Sequence, residues 1–236
     1  ASQGAIKYAG LEYIVALVTL SAQKSKIPIA LHLDHGTDFQ QAVQCIKYGF
    51  TSVMIDNSQY PLEENIARTK KVVEIARAVG VSTEAELGKI GGTEDDVSVS
   101  ERDAMLTDPE EARIFVEETG VDALAVAIGT AHGQYKFEPK LDFERLEKIR
   151  SLVKVPIVLH GSSGVPDKDI RQAIELGVRK VNIDTNIREA FVKGLRDFIA
   201  ANPKEIDPRK ILKPAMEEMT AIVREKIRLF GSANQA

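Results

Sequence analysis

The stretch that decides the fold is residues 28–36, which read Pro28-Ile-Ala-Leu-His-Leu-Asp-His-Gly36: a short apolar run that ends in a histidine and a glycine. The pattern recurs at 123–133, where an apolar run leads to His132-Gly133, and at 156–161, which reads Pro-Ile-Val-Leu-His-Gly. Nearly continuous apolar runs of this length are typical of strands that are buried on both faces of a parallel sheet. Three of the four histidines therefore stand where a predicted buried strand ends.

Strand patterns of this kind alternate with amphipathic helical patterns along the whole chain. The predicted strands lie at 28–35, 52–57, 82–87, 123–129, 156–160 and 180–185. The predicted helices lie at 5–23, 38–49, 62–79, 109–119, 142–153, 167–177 and 187–200. A repeated alternation of strand and helix with this spacing indicates a parallel α/β fold.

Polar side chains at the strand ends decide between a closed barrel and an open sheet. In an open doubly wound sheet the functional residues gather at one switch point, whereas in a barrel they lie at the carboxyl ends of many strands. Here nearly every predicted strand ends at a candidate residue: Asp34, His35, Asp56, Glu86, His132, His160, Asn182 and Asp184. This distribution predicts a TIM (β/α)8 barrel.

The number of predicted strands falls short of a complete barrel. Six are clear, and Ser2-Gln3-Gly4 is interpreted as the tail of a further strand. We therefore expect the first strand and the first helix of the barrel to be missing from this chain. The expected organisation is a single, N-terminally incomplete barrel domain over residues 1–236, with a C-terminal helical extension at about 208–230 that packs on the barrel or on a neighbouring subunit.

Composition argues against several other classes of protein. The net charge of -4 and the pI of about 5.7 give no general affinity for nucleic acid or for an anionic membrane. The sequence holds no apolar run of roughly 18 residues, so no membrane span is predicted. The single cysteine, Cys45, cannot form an internal disulfide, which favours a cytoplasmic location.

The histidines at the strand ends are candidate metal ligands. Because the ends of barrel strands meet on one face, His35, His132 and His160 can converge although they are far apart in sequence. Neutral imidazole is a common zinc ligand, and a carboxylate beside it, such as Asp34, is a good general acid or base. Strict alternation turns His35 away from Asp34, but Gly36 permits a backbone rotation that brings His35 inward. Each histidine taken alone could instead be an ordinary hydrogen-bonded residue.

Two further segments carry candidate chemistry. Glu84 and Glu86 lie on the same face of their strand, and the roughly 20 residues after it lack a core pattern, as active-site lids often do. A lid that carries Glu94 could bring a base to a bound substrate. The glycine-serine loop at 160–164 and the turn after 180–185 correspond to the exits of the last two strands, where many barrels bind phosphate.

The lysines argue against covalent catalysis. Lys180 is placed at the start of its predicted strand, on the side of the barrel opposite to the strand exits, and Lys89 belongs to the predicted lid. With no lysine at the inward-facing end of a strand, the sequence favours an electrophilic metal over a Schiff base.

Together these segments resemble one family, the class II, metal-dependent fructose-bisphosphate aldolases with their tagatose-bisphosphate relatives. The resemblance covers essentially the whole chain, in order. The segments that carry it are Leu33-Asp34-His35-Gly36, Val53-Met54-Ile55-Asp56, Glu84-Ala85-Glu86-Leu87-Gly88, Gly91-Gly92-Thr93-Glu94-Asp95, Gly129-Thr130-Ala131-His132-Gly133, Leu159-His160-Gly161, Val181-Asn182-Ile183-Asp184-Thr185 and Asp207-Pro208-Arg209.

The resemblance implies a role for each matching residue. His35, His132 and His160 are similar to catalytic zinc ligands. Asp34 is similar to the residue that gives and takes the proton at the aldol centre, and Glu94 to the lid carboxylate that removes a proton from dihydroxyacetone phosphate. Two more carboxylates resemble ligands of a second metal, or supports of the first: Asp56 and Glu86. The residues that resemble those around the substrate and its phosphates are Ser2, Gly133, Lys136, Gly161, Ser163, Asn182, Asp184, Thr185 and, across a subunit boundary, Arg209.

The implied activity is the reversible cleavage of fructose 1,6-bisphosphate to dihydroxyacetone phosphate and glyceraldehyde 3-phosphate through a zinc-stabilised enediolate, a step of glycolysis and gluconeogenesis. The implied cofactors are a catalytic Zn2+ and, as options, a second divalent ion and a monovalent cation; the implied assembly is a homodimer or homotetramer. Tagatose 1,6-bisphosphate is the nearest rival substrate, although Asp184-Thr185 favours fructose bisphosphate. The sequence also leaves open a metal-dependent hydrolase barrel and a non-catalytic sugar-phosphate sensor, and intact Asp34 and Glu94 argue against the sensor.

Overall fold

The computed structural model of the chain describes residues 1–94, 97–99, 105–135 and 138–235, and of residues 93–94 and 97–99 it describes the backbone alone. Within these ranges the strands are β1 (His32–Gly36), β2 (Ser52–Ile55), β3 (Ser82–Leu87), β4 (Gly91–Glu94), β5 (Val97–Val99), β6 (Ala123–Val126), β7 (Ala131–His132), β8 (Ile157–Leu159) and β9 (Val178–Val181). The helices are α1 (Gln3–Ala9), α2 (Leu11–Lys24), α3 (Phe39–Tyr48), α4 (Leu62–Ala78), α5 (Pro109–Thr119), α6 (Phe143–Leu152), α7 (Asp167–Glu175), α8 (Thr185–Ala201) and α9 (Pro208–Leu229).

Six strands form one parallel sheet, in which neighbours follow chain order: β1-β2-β3-β6-β8-β9. On the other side of β1, Ser2 forms a parallel bridge with Asp34. The sheet curves into a half-barrel, and its two ends are joined across the interior by Asn182, whose Nδ2 donates to Asp34 Oδ1 at 3.1 Å. Sequential parallel strands separated by helices are the arrangement of the predicted TIM barrel.

Alternate residues of each strand face opposite sides of the sheet, and both sides are buried. The outward side chains and the helices form one large cluster, whose largest fully buried members are Phe50, Phe115, Leu33, Ile55, Leu124, Ile128, Leu146, Ile149, Ile157, Leu159 and Ile170. The inward residues Met54, Ala125 and Val158 form a small separate cluster. Beside them β3 turns Glu84 and Glu86 into the interior, each only 2% exposed. Burial of both faces explains the nearly continuous apolar runs of the sequence.

The N-terminal region differs from the prediction of one helix at 5–23. It forms two helices, α1 and α2, whose axes bend by 99°. Gly10 stands between them with a φ of +88°, a left-handed backbone conformation that glycine adopts without steric penalty. Among the described residues no single helix is long and apolar enough to cross a membrane, and α1 with α2 reaches that length and composition only as this bent pair.

Two other boundaries move in ways that matter for the site. The sequence pattern predicts the last strand at 180–185, but the strand runs over Val178–Val181, where buried Val178 pairs with Ile157. Asn182 therefore follows the strand, while Lys180 lies within it. The predicted lid begins as β4, which pairs with β5 and also with β7, so that Gly92 lies opposite His132.

Candidate metal centre and substrate cavity

Three histidines from distant parts of the chain meet at the carboxyl ends of the strands. One ring nitrogen from each of His35, His132 and His160 lies within 4.8 Å of the others, and all three residues are buried. His160 Nδ1 is 2.8 Å from His35 Nε2, and the His132 ring centroid lies 4.9 Å from that of His35 and 5.9 Å from that of His160. The structure thus brings together the three predicted ligands.

The turn that points His35 inward arises differently from the prediction. His35 itself adopts a left-handed φ of +47°, and the register between β1 and β2 shifts between Leu33 and Gly36. A non-glycine residue pays roughly 1–2 kcal/mol for this conformation. The φ of Gly36 is outside the left-handed region, and its contribution is space, because a Cβ there would lie 2.6 Å from the carbonyl oxygen of Met54. The predicted rotation at Gly36 is therefore wrong, although its outcome is observed.

Each of two histidines has a carboxylate at its other ring nitrogen. His35 Nδ1 lies 3.3 Å from Asp56 Oδ2 and 4.0 Å from Glu86 Oε2. His160 Nε2 lies 2.8 Å from Glu84 Oε1. A carboxylate that accepts the proton on one ring nitrogen leaves the lone pair on the other nitrogen available to a metal.

The buried charges shift several pKa values. Burial alone lowers the pKa of His35, but the hydrogen bond with Asp56 and the negative charge of Glu86 raise it to about 10. Burial, with the charge of His35, holds the pKa of His160 well below its usual value. Burial and the charge of Asp56 raise the pKa of Glu86 well above its usual value. One proton is therefore held on the His35 side of the cluster, where a divalent ion would displace it.

The donor set fits a divalent metal ion. Three imidazoles are a ligand set of catalytic zinc, and tetrahedral bonds of 2.0–2.1 Å place ligand nitrogens roughly 3.3 Å apart. The 2.8 Å between His160 Nδ1 and His35 Nε2 is close to that spacing. A second group of possible ligands shares one histidine with the first: His35, Asp56 and Glu86. The predicted carboxylates Asp56 and Glu86 thus lie where a second ion or a supporting hydrogen bond needs them.

Asp34 lies beside the histidine cluster. Its Oδ1 accepts a hydrogen bond from Asn182 Nδ2, which also lies 3.2 Å from His160 Nδ1. Burial alone raises the pKa of Asp34, but the neighbouring imidazoles of His160 and His35 outweigh burial and lower it below its usual value. Asp34 is thus ionised near neutral pH and can accept a proton.

A cavity of about 820 Å³ opens above the cluster. The predicted site residues in its lining are Asp34, His132, Gly133, Gly161, Ser163, Asn182, Asp184 and Thr185. At one end Ser163 Oγ accepts hydrogen bonds from the amides of Asp184 and Asn186, at 3.2 Å and 3.4 Å. These amides belong to the N-terminal end of α8, a type of position that attracts anions.

Of the residues predicted to act on or bind the substrate, two lie outside the cavity lining, and for two more the side chain is outside the described part of the chain. Ser2 lies next to the cavity, where its hydroxyl accepts a hydrogen bond from the Ala5 amide and caps α1. Arg209 is on the surface, pairs with Asp207 at 2.8 Å, and has a side chain that is 90% exposed. Lys136 lies outside the described residues, as does the side chain of Glu94.

The sequence pattern did not indicate the positions of three residues that lie near the site. Lys180 does not lie away from the site: its Nζ is 2.9 Å from Glu84 Oε2 in the interior, and it borders the cavity. The side chain of Gln3 donates to the carbonyl oxygen of His35 at 3.0 Å. Tyr135 Oη donates to the Gly161 carbonyl at 2.8 Å and so braces the loop after His160. Side-chain contacts across a barrel leave no local sequence signal. The spacing of Glu84 and Glu86, two residues apart on one strand, did indicate that carboxylates share a face of that strand.

Comparisons with known proteins show the family to which the chain is similar. The family described as class-II fructose-bisphosphate aldolase matches residues 1–235. Proteins named fructose-bisphosphate aldolase from Thermus caldophilus and Helicobacter pylori (strain J99) are 46% and 45% identical, over 100% of this chain and 84% of each relative. The solved YdjI aldolase from Escherichia coli K12 has a TM-score of 0.84 at 34% identity, covering 100% of this chain and 81% of that one. The solved fructose-bisphosphate aldolase from Campylobacter jejuni has a TM-score of 0.80 at 26% identity, covering 100% of this chain and 83% of that one.

Fold and site together define an α/β-barrel protein with a buried three-histidine centre at the carboxyl ends of its strands. The solved aldolases confirm the predicted TIM-barrel architecture. The chain belongs to the class II fructose-bisphosphate aldolase family, a family of generally metal-dependent carbon–carbon lyases, as its sequence resemblance indicated.

Proposed function

We propose that this protein is a metal-dependent aldolase that reversibly cleaves fructose 1,6-bisphosphate to dihydroxyacetone phosphate and glyceraldehyde 3-phosphate. The observation that carries the proposal is the convergence of three histidine nitrogens within 4.8 Å, next to a cavity lined by Asp34. The names of the relatives from Thermus caldophilus and Helicobacter pylori support the choice of substrate.

His35, His132 and His160 would hold the catalytic ion, for which the three imidazoles favour zinc. When bound, the ion supplies a Lewis acid that polarises the carbonyl of the substrate. The protein holds the ligand rings in place through carboxylates, since Asp56 lies 3.3 Å from the His35 ring. We place the proposed second divalent ion between Asp56, Glu86 and His35.

Asp34 is the proposed proton-transfer residue at the aldol centre. In the cleavage direction its carboxylate takes the proton of the C4 hydroxyl while the C3–C4 bond breaks, and in synthesis it returns that proton. The ionised state of Asp34 is compatible with the first role, and the Asn182 amide donates to Oδ1 and so fixes its position. Glu94, the last residue of β4, is proposed to exchange the proton on C3 of the dihydroxyacetone phosphate half.

One phosphate of the substrate is proposed to bind at the α8 end of the cavity. The dipole of α8 favours the charge of a phosphate at this end of the cavity. The amides of Asp184 and Asn186 donate to Ser163 Oγ, whose own proton can be donated to the phosphate. Gly133 and Gly161 let the backbone approach there, since both have positive φ values, of +83° and +62°. Ser163 adds a hydroxyl, and Lys136 is the proposed positive charge.

The second phosphate is proposed to reach Arg209 of a second copy in a homodimer or homotetramer. Arg209 stands in the first turn of α9, outside the cavity of its own subunit. Several apolar side chains of the same helix are exposed, as expected of a surface that packs on a neighbour: Leu212, Met216, Met219, Val223 and Ile227.

The rest of the proposal is carried over from the sequence. A monovalent cation is proposed as an additional cofactor that binds near the substrate. A cytoplasmic location is proposed from the single, buried thiol of Cys45, and a role in glycolysis and gluconeogenesis follows from the reaction.

Substrate and mechanism are tested by comparing kcat/KM for fructose and tagatose 1,6-bisphosphate in wild type and in Asp34→Ala. We expect the higher value with fructose bisphosphate, and a fall in kcat on the order of 10²-fold or more in Asp34→Ala with zinc content retained. Asp38→Ala is the control, because Asp38 is a nearby carboxylate that only caps α3. Unchanged ligand affinity without turnover in the wild type would instead indicate the sensor, and preference for tagatose bisphosphate would contradict the substrate assignment.

A further inference from the structure

Glu84 is a buried carboxylate of β3 whose two oxygens have different partners. Its Oε1 lies 2.8 Å from His160 Nε2, and its Oε2 lies 2.9 Å from Lys180 Nζ on β9. In the sheet β6 and β8 lie between β3 and β9, so the contact with Lys180 crosses the interior of the half-barrel.

We propose that Glu84 and Lys180 form a positioning pair that fixes the ring orientation and the proton position of His160. The inference rests on the proposed role of His160 as a metal ligand. It adds two residues that would not touch the metal or the substrate but would determine how well the cluster binds an ion.

The two ring nitrogens of His160 have different neighbours. A neutral imidazole carries one N–H and one lone pair, so whichever nitrogen donates leaves the other able to bind a metal. Glu84 can only accept when it is a carboxylate, so the proton is placed on Nε2. Nδ1, which faces His35 Nε2 at 2.8 Å, then keeps its lone pair turned toward the other ligands.

Lys180 holds the carboxylate in that orientation. A carboxylate with one oxygen on a histidine and the other on an ammonium group cannot rotate without losing a partner. Glu84 is 2% exposed, and a buried charge without a counter-ion is strongly destabilising. Lys180 supplies the counter-ion, and its own side chain is only 35% exposed.

The nearby His32 does not replace Lys180 in this role. Its Nε2 is 3.7 Å from Glu84 Oε2, and its Nδ1 is 2.8 Å from the hydroxyl of Ser52. Burial lowers the pKa of His32 to about 4, so the ring is neutral near pH 7. The positive charge beside Glu84 is thus that of Lys180.

The proposal is tested by zinc affinity, measured on the full chain without substrate by competition with a chromophoric chelator at one fixed pH. Loss of a partner that orients a metal-bound histidine typically weakens binding by about 10- to 100-fold, and we expect this for Glu84→Gln. Lys180→Met, which keeps the length of the side chain, should weaken binding by roughly threefold to tenfold, since it acts one contact further away.

A double-mutant cycle tests whether Lys180 acts through Glu84. If it does, Lys180→Met changes zinc affinity by less than about twofold in the Glu84→Gln background. The visible spectrum of the cobalt-substituted protein should change in both single variants, because the His160 ring moves relative to the ion. Lys70→Met is the matched control: Lys70 pairs with Glu118 at 2.7 Å on the surface, and its loss should leave zinc affinity unchanged.

Lower thermal stability of Lys180→Met and Glu84→Gln with wild-type zinc affinity and an unchanged cobalt spectrum would overturn the proposal, since the pair would then be structural only. An equal effect of Lys180→Met in both backgrounds would also overturn it. If Glu84→Gln does not fold, Glu84→Asp replaces it, because the shorter carboxylate retains its charge but not its reach to His160. Zinc binding by the wild type without any cleavage would contradict the proposed function and leave the positioning pair standing.

Discussion

Two polar regions occupy the barrel at different depths, and they differ in the kinds of groups that face one another. The histidine cluster (His35, His132 and His160) lies at the strand ends, and the Glu84 cluster (His32, Ser52, Glu84 and Lys180) lies within the strands. In the Glu84 cluster a carboxylate meets an ammonium group and a hydroxyl meets an imidazole. In the histidine cluster imidazole nitrogens face one another at 2.8 Å.

The difference indicates which of the two regions is suited to hold a ligand. In the Glu84 cluster charges of opposite sign face one another, an arrangement that stabilises a buried carboxylate. Two imidazole nitrogens that face each other need a proton or a cation between them. The histidine cluster is therefore suited to hold a cation, and the Glu84 cluster is the one that we propose supports it.

The largest contrast between the regions is expected from removing one histidine of each. His160→Ala deletes a ligand, and we expect zinc affinity and cleavage rate both to fall on the order of 10³-fold. His32→Gln, its counterpart in the Glu84 cluster, should keep both within about threefold, because the amide can still bond to Ser52. Metal analysis by mass spectrometry and steady-state kinetics measure the two effects; equal losses in the two variants would remove the proposed distinction between the two clusters.

A smaller effect is expected where the lid strand touches the histidine cluster. A Cβ at Gly92 would overlap the backbone oxygen of His132, whereas one at Gly49 would meet nothing within 4 Å, and both glycines have a φ of +99°. Gly49→Ala should therefore cost only the backbone strain, about 1–2 kcal/mol in the free energy of unfolding. Gly92→Ala should cost more and also weaken zinc binding, because His132 must shift. Chemical denaturation with zinc titration checks this, and wild-type zinc affinity in Gly92→Ala would separate β4 from the metal centre.

The last contrast concerns the pH dependence of the Glu84 cluster. Burial lowers the pKa of His32 to about 4 in the fold, below its unfolded value near 6.5. The stability that the fold gains from the buried, neutral His32 is thus complete above about pH 6.5. It is lost as the pH falls toward 4, because the unfolded chain then binds a proton that the folded chain does not. Between pH 7 and pH 5 the wild type should lose about 2 kcal/mol more of its free energy of unfolding than His32→Gln does. Parallel urea unfolding curves at the two pH values measure the difference, and identical losses would show that His32 is not buried as a neutral ring.

The sequence predicted that the three histidines converge, but it predicted only part of the Glu84 cluster. The histidines before glycines were visible because strand ends are marked by local patterns, and β3 was placed at its observed bounds, 82–87. The left-handed turn at His35 and the contact of Lys180 with Glu84 were not predicted. The first depends on a register shift between strands and the second on an approach across the barrel, and neither has a local signal. The break at Gly10 was missed because the apolar pattern continues through it.

The most direct test of the account is cleavage of fructose 1,6-bisphosphate by the complete protein, before chelation, after chelation, and after zinc is restored. The account predicts that activity is lost when the chelator removes the metal and returns with stoichiometric zinc. Full activity in a sample that metal analysis shows to be free of zinc and other divalent ions would contradict the role given to the histidine cluster.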